Sequence, residues 1–301
     1  MENTNQKILN DNIIKNFYAI NSYMSFSSIY KPSAKNQKLN TFKKTKLEII
    51  QKIKINNFEN SKFMMTIESV DLDCNTDELV FLYAITRAKE ETVILSLEEI
   101  ALSLNVSKEE ARKTKTAERI KNSLIKHEFL KLEIRNKEND SYNRFSVISQ
   151  HSYDSNKKEF TITFTKDFFE FYKSQFNNII YSESFKKVKL EYSKFLLSLF
   201  SNFDRSNTYT LNESVILKRL NINELSRDIK HELKNALTEL YQIGILELAT
   251  INKDNSITFR KNKLSNKIDS KNLQYHHLSA IYRNKINNQE TFEYEDDEIP
   301  F

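Results

Sequence analysis

Apolar positions along the chain switch between helical and strand spacing, and the switches outline two similar runs of elements. Phe63 to Val70 is strand-like. Asn75 to Glu78 offers an N-cap, followed by a helix through Leu79, Phe81, Leu82 and Ile85. Ser96-Leu97-Glu98-Glu99 is a capping box whose helix carries Ile100, Ala101 and Leu104. Asn105-Val106 makes a short turn. A third box at Ser107 to Glu110 opens a helix to about His127. Strands are then predicted at Phe129 to Ile134 and Phe145 to Ile148, around a polar turn at Asn136 to Asn143, with a further strand at Phe160 to Phe164.

That order returns downstream. Lys166 to Phe176 reads as a connecting helix, Leu190 to Phe203 as an apolar-striped one and Thr210 to Leu220 as a short one. Asn221 to Asn223 is the turn, and Ser226 to Tyr241 the third helix. Gly244 stands where a left-handed cap is expected. Leu246 to Ile251 and Ser256 to Arg260 are strands around Asn252 to Asn255. No sequence identity aligns the two runs, so the repeat is one of element order. Each run predicts a helix-turn-helix with a β wing. The expected class is α+β, mostly helical, with tandem winged-helix domains at 61–165 and 166–262. An arm over 1–60 and a linker with an acidic tip over 263–301 flank them.

Within the arm, Ile13, Ile14, Phe17 and Ile20 suggest a short amphipathic helix. Ser25 to Lys54 follows, with Lys31, Lys35, Lys38, Lys43, Lys44 and Lys46 and almost no acid before Glu48. It reads equally as a basic arm on phosphates and as a solvated linker.

Composition narrows the function. The net charge of +5 permits a nucleic-acid partner without requiring one. One glycine in 301 residues excludes a P-loop and a dinucleotide fingerprint, which need several. A single cysteine excludes an internal disulfide and a cysteine-based zinc site within one chain, and points to a reducing compartment. No apolar run reaches spanning length and the start is polar, so a cytoplasmic protein without membrane contact is expected. His276 and His277 are adjacent and share no helix face, and the other histidines lie in separate elements. The expectation is therefore a non-enzyme with no metal and no cofactor.

The helix Ser226 to Tyr241 carries the most chemistry. At 100° per residue, Ile229, Leu233, Ala236, Leu237 and Leu240 share one face. Arg227, His231, Lys234 and Thr238 lie opposite, with Asn235 beside them and Lys230 on the same helix. Arg and Lys can donate to guanine, and Asn can pair with adenine, in a major groove. An ordinary solvated face has the same look. In the first run, Lys108, Arg112, Lys113, Lys115, Arg119, Lys121 and Lys126 stand against three acids and suit phosphates. Lys253, Asn255, Arg260 and Lys261 are wing candidates. Leu196 to Phe200 is similar to the pentapeptide that binds the sliding clamp, but Leu196 replaces the leading glutamine and the segment reads as core.

The final residues, Glu293 to Glu298 and then Ile299-Pro300-Phe301, resemble the acidic tip of bacterial single-stranded DNA-binding protein. Phe301 would fill an apolar pocket while Asp296, Asp297 and Glu298 steer toward a basic rim. Residues 65 to 261 resemble the TrfA-like plasmid replication initiators. The similar stretches are Asp77 to Leu82, Leu95 to Ile100, Ile120 to Leu132, Tyr209 to Leu211, Leu220 to Ile222 and Leu233 to Ile245. That resemblance implies binding of double-stranded DNA at directly repeated origin sites (iterons), melting of AT-rich DNA and recruitment of host helicase and polymerase. It also implies active monomers, with homodimers as the inactive store. By position it assigns base reading to Arg227, Lys230, Lys234 and Asn235. The tip would recruit primase or helicase-loading factors. A transcriptional repressor built from the same modules is the alternative, and an adaptor that hijacks replication proteins is a third.

Overall fold

The computed structural model describes residues 17–21, 29–32, 54–59, 63–138, 141–174, 177–203 and 207–262. Five short strands come first: β1 (Phe17–Asn21), β2 (Tyr30–Lys31), β3 (Lys54–Glu59), β4 (Phe63–Ser69) and β5 (Leu72–Asp73). Helix α1 (Asp77–Arg87) is buried along most of its length. Strand β6 (Thr92–Ser96) follows, with Val93 and Leu95 inward. Ser96 then caps α2 (Leu97–Ser103): its Oγ accepts from Glu99 N at 3.2 Å, and the Glu99 carboxylate accepts from Ser96 N at 3.2 Å. Helices α3 (Lys108–Ala111) and α4 (Thr114–Glu128) come next. They lead to β7 (Lys131–Asn136), β8 (Tyr142–Ser146), β9 (Ile148–Asp154) and β10 (Glu159–Phe164).

Two antiparallel sheets organise this first unit. One has the order β6-β10-β9, with Phe160 opposite Leu95 and Tyr153. The other is β3-β4-β7-β8. The predicted polar turn thus belongs to the second sheet, and the hairpin that closes the three-helix unit is β9–β10. The predicted strand at Phe145 to Ile148 straddles the passage between sheets. It bends at Val147, which is buried and whose N–H donates to Leu130 O at 3.1 Å.

Helix α5 (Lys166–Ser174) packs Phe168 and Tyr172 against Phe81. Strand β11 (Asn177–Tyr181) pairs with β1, so Phe17 to Ile20 form a strand where an amphipathic helix was expected. After α6 (Ser182–Lys187), the second unit comprises α7 (Glu191–Phe200), β12 (Thr208–Leu211), α8 (Glu213–Leu220), α9 (Arg227–Gln242), β13 (Leu246–Ile251) and β14 (Ile257–Lys261). Its sheet order β12-β14-β13 repeats β6-β10-β9 element for element. Phe200 stacks on Phe259 at 3.8 Å and seals that sheet against α7.

With fourteen strands and nine helices among the described residues, the fold is mixed α/β; mostly helical describes it poorly. The buried side chains of both units form one continuous cluster. Among the described residues no helix is long and apolar enough to cross a membrane.

Candidate nucleic-acid interface

The turn before each third helix has the same construction. Asn221 ends α8 in the left-handed region (φ 55°), and Ile222 N donates back to Leu217 O at 3.1 Å. Asn105 does the same at φ 59°, with Val106 N donating to Ala101 O at 3.1 Å. Asparagine tolerates this conformation better than branched residues do. Leu104-Asn105-Val106 and Leu220-Asn221-Ile222 are therefore a repeated motif, although the whole units show no alignable identity. A second echo lies on the third helices, Lys121-Asn122-Ser123-Leu124 and Lys234-Asn235-Ala236-Leu237. Ile120, Ser123, Leu124 and His127 are buried at the positions that Leu233, Ala236, Leu237 and Leu240 bury.

Helix α9 begins where Ser226 Oγ accepts from Ile229 N at 3.3 Å. Leu233, Ala236, Leu237 and Leu240 face the core. Arg227, Lys230, His231, Lys234 and Thr238 are exposed and Asn235 is half-buried. Thr238 Oγ1 donates to Lys234 O at 2.9 Å, so its hydroxyl is occupied within the helix. The side chains proposed to read bases are thus presented together on one outer surface.

In the first unit the long basic helix is broken. Ser107 caps α3, Arg112 and Lys113 form a corner, and Thr116 Oγ1 donates to Glu110 O at 2.6 Å across it. The corner divides the basic residues. Lys108, Arg112, Lys113 and Lys115 are exposed on or beside it, with Arg112 3.8 Å from Glu98. Arg119 Nε donates to Thr76 Oγ1 at 3.0 Å, and Lys126 Nζ donates to Asp77 Oδ2 at 2.6 Å. Lys121 lies over the Tyr153 ring at 4.5 Å. These last three hold α4 in place.

The β13–β14 hairpin turns on Asn255 (φ 63°), whose amide donates to Glu213 Oε1 at 3.0 Å. Asp254 accepts from Ser256 Oγ at 2.7 Å and Ser256 N at 3.1 Å, which holds its carboxyl below the usual range. Lys253 is exposed at the tip. Arg260 pairs with Glu247 at 3.1 Å and Lys261 Nζ donates to Phe203 O, so both have work inside the protein.

The first unit's hairpin was expected at Phe129 to Ile148 and lies instead at β9–β10. Asp154 accepts from Asn156 N (2.8 Å) and Lys157 N (3.1 Å), and Lys158 is left-handed at φ 56°. Lys157 and Lys158 stand exposed at the tip. With Arg112 they line a cleft of about 510 Å³ whose acidic side is Glu98 and Glu99. Asp154-Ser155-Asn156 before the alternating Phe160 to Phe164 was the available signal.

Leu196, Leu199 and Phe200 are buried, so the clamp-like pentapeptide is core. The basic arm at Lys35 to Lys46, His276, His277 and the tip from Asp296 to Phe301 lie outside the described residues.

Domains 2 and 3 of RctB have a similar fold. One crystal structure of that pair matches with a TM-score of 0.50 at 14% identity, covering 70% of this chain and 91% of that one. A second structure of RctB domains 2–3 gives 0.48 at 12% identity, covering 72% and 94%. The Pi initiator protein in complex with iteron DNA gives 0.45 at 11%, covering 66% and 98%. No protein-family model and no curated protein sequence matches the chain.

Proposed function

We propose that this protein is a plasmid-type DNA replication initiator, gripping duplex DNA at repeated origin sites with two winged-helix units in tandem. The observation that carries the reading is the exposed face of α9, where Arg227, Lys230, His231 and Lys234 project from a helix anchored by Leu233, Leu237 and Leu240. A helix launched from a tight turn and followed by a β hairpin is the arrangement that enters a major groove. Arg227, Lys234 and Asn235 take the base-reading role. Lys108, Arg112, Lys113 and Lys115, with Lys157 and Lys158, take phosphates, which position a protein without reading sequence.

Two units in one chain favour an initiator over a repressor. A symmetric dimer reads a palindrome through its two-fold axis, whereas linked units reach adjacent elements in one direction, as direct repeats require. Host proteins would be captured by Asp296 to Phe301, and no reaction is catalysed.

Selection from a random duplex pool tests the reading. Recovered sites should share one asymmetric element, and footprints on the cognate origin should fall on direct repeats. Asn235→Ala should relax one base position by about 1–3 kcal/mol of discrimination. Recovery of a single palindrome bound by a dimer would instead establish the repressor. Removal of Ile299 to Phe301 should abolish host-protein capture while leaving duplex binding intact. Supercoiled DNA incubated with divalent metal should stay unnicked.

A further inference from the structure

Beside the apolar core that runs through both units, their joint carries a row of polar contacts, and a segment from far upstream closes it. Residues 74–78 lie along one face of α7: Cys74 Sγ donates to Glu191 O (3.3 Å), Lys194 Nζ to Asn75 Oδ1, and Ser198 Oγ to Glu78 Oε1 (2.7 Å). Positions 191, 194 and 198 are three and four apart and share a helix face. Residues 29–32 run into this joint. β2 pairs in parallel with β5, and Cys74 N donates to Lys31 O at 3.0 Å.

Tyr30 engages both units at once. Its ring enters the first, 6.1 Å from the Phe81 ring, and its hydroxyl lies 3.0 Å from His127 Nε2. His127 Nδ1 is 2.8 Å from the carbonyl of Ser123, which can only accept. The ring proton is therefore on Nδ1, and the Tyr30 hydroxyl donates to Nε2. The Tyr30 carbonyl meets the second unit, accepting from Arg219 Nη1 at 2.7 Å.

Arg219 is 0% exposed. Burying a guanidinium costs several kcal/mol before compensation. The compensation here is the Tyr30 carbonyl, the Phe195 ring 5.1 Å away, and attraction to buried Glu78. It is incomplete: Glu78 Oε2 and Arg219 Nε and Nη2 make no hydrogen bond among the described residues. Apolar side chains of similar shape would avoid that cost, so an incompletely compensated buried guanidinium serves geometry better than stability. Arg219 also stands two residues before Asn221, the left-handed residue that precedes α9. Holding Arg219 therefore fixes the end of α8 and the turn that leads to α9.

We propose that residues 29–32 and Arg219 form a latch that sets the angle between the two units, so that the chain accepts its two DNA contact elements at one spacing. This rests on the DNA-binding reading above. Tyr30 and Arg219 are positioning residues and touch no DNA.

The test pairs a DNA-free measurement with a DNA-bound one. Spin labels at Glu109→Cys and Gln242→Cys, both exposed sites in full-length protein, report the distance between units; buried Cys74 stays unlabelled. A single narrow distance distribution is expected. Arg219→Met should broaden it, and Arg219→Lys should restore it in part. Selected duplexes are then lengthened by half a helical turn, about 5 base pairs, between their two contact elements. The native protein should lose about a hundredfold in affinity, because both units can no longer engage together, while Arg219→Met should lose under about tenfold. An equally narrow distribution in folded Arg219→Met, or an unchanged spacing penalty, overturns the latch. If Arg219→Met does not fold, Tyr30→Ala is read by the same two criteria. If the native protein binds no duplex at all, the functional reading fails, and the label distances alone still decide whether the latch exists.

Discussion

His127 and Leu240 occupy matching places on the two third helices, and both are fully buried. Burial pushes the His127 imidazole down to about 4. Its unfolded value is near 6.5, so the stability it carries is complete above pH 6.5 and is lost as pH falls toward about 4. Asp73 and Glu78, raised by burial to about 6 and about 7, act in the opposite sense: what they contribute is present at low pH and lost as pH rises through those values. The difference between native and His127→Leu protein isolates the histidine. Urea unfolding should show that difference changing by about 3 kcal/mol between pH 7 and pH 4, with the variant gaining relative to the native protein in acid. A flat difference would mean that His127 titrates normally. At Asn221 and Asn105 the backbone decides. Asn221→Val should cost about 1–2 kcal/mol of stability and Asn221→Gly only a few tenths, measured by thermal unfolding.

Elements were legible where local chemistry specifies them. The capping box at Ser96, the side-chain cap at Ser107 and the apolar face of α9 are set by neighbours in sequence, and they stand where they were read, although at Ser107 only the serine half of the expected box forms. The longer-range decisions were not legible. The run from Tyr142 to Asp154 serves two sheets, and no glycine or proline marks its bend at Val147. The α3–α4 corner depends on a Thr116 hydroxyl reaching back six residues, which periodicity does not register. Of the candidate site, the α9 face was readable from spacing alone. The duties of Arg119, Lys126 and Lys261 were not, because their partners Thr76, Asp77 and Phe203 are distant in sequence. One such distant contact is a cap: Glu239 of α9 accepts from Lys189 N (2.9 Å) and Leu190 N (3.1 Å) at the start of α7. Glu239→Ala should cost about 1 kcal/mol in denaturant unfolding and loosen hydrogen-exchange protection at the beginning of α7.

Over the whole molecule, the proposed reading assigns the two units different shares in holding a duplex. Phosphate contacts release counterions, so each one contributes about 0.9 to the log–log dependence of affinity on salt. Lys157→Ala with Lys158→Ala should reduce that slope by about 1.8 and weaken all sequences alike, as measured by fluorescence anisotropy across a salt series. An unchanged slope would remove the β9–β10 hairpin from the proposed interface. Such a uniform loss contrasts with the sequence-selective loss expected at Asn235 and separates gripping from reading.

The proposed latch would also set when the protein becomes competent. Tyr30 leaves the ribosome 189 residues ahead of Arg219, the donor that must find its carbonyl. At ordinary elongation speeds that is a wait of about 10 to 40 seconds. During that time the first unit can form around Tyr30 and His127, but nothing yet orients a second. On the proposed reading, a nascent chain interrupted before α8 lacks the donor that closes the latch, and only a chain carried through Arg219 can set the spacing of its two contact elements.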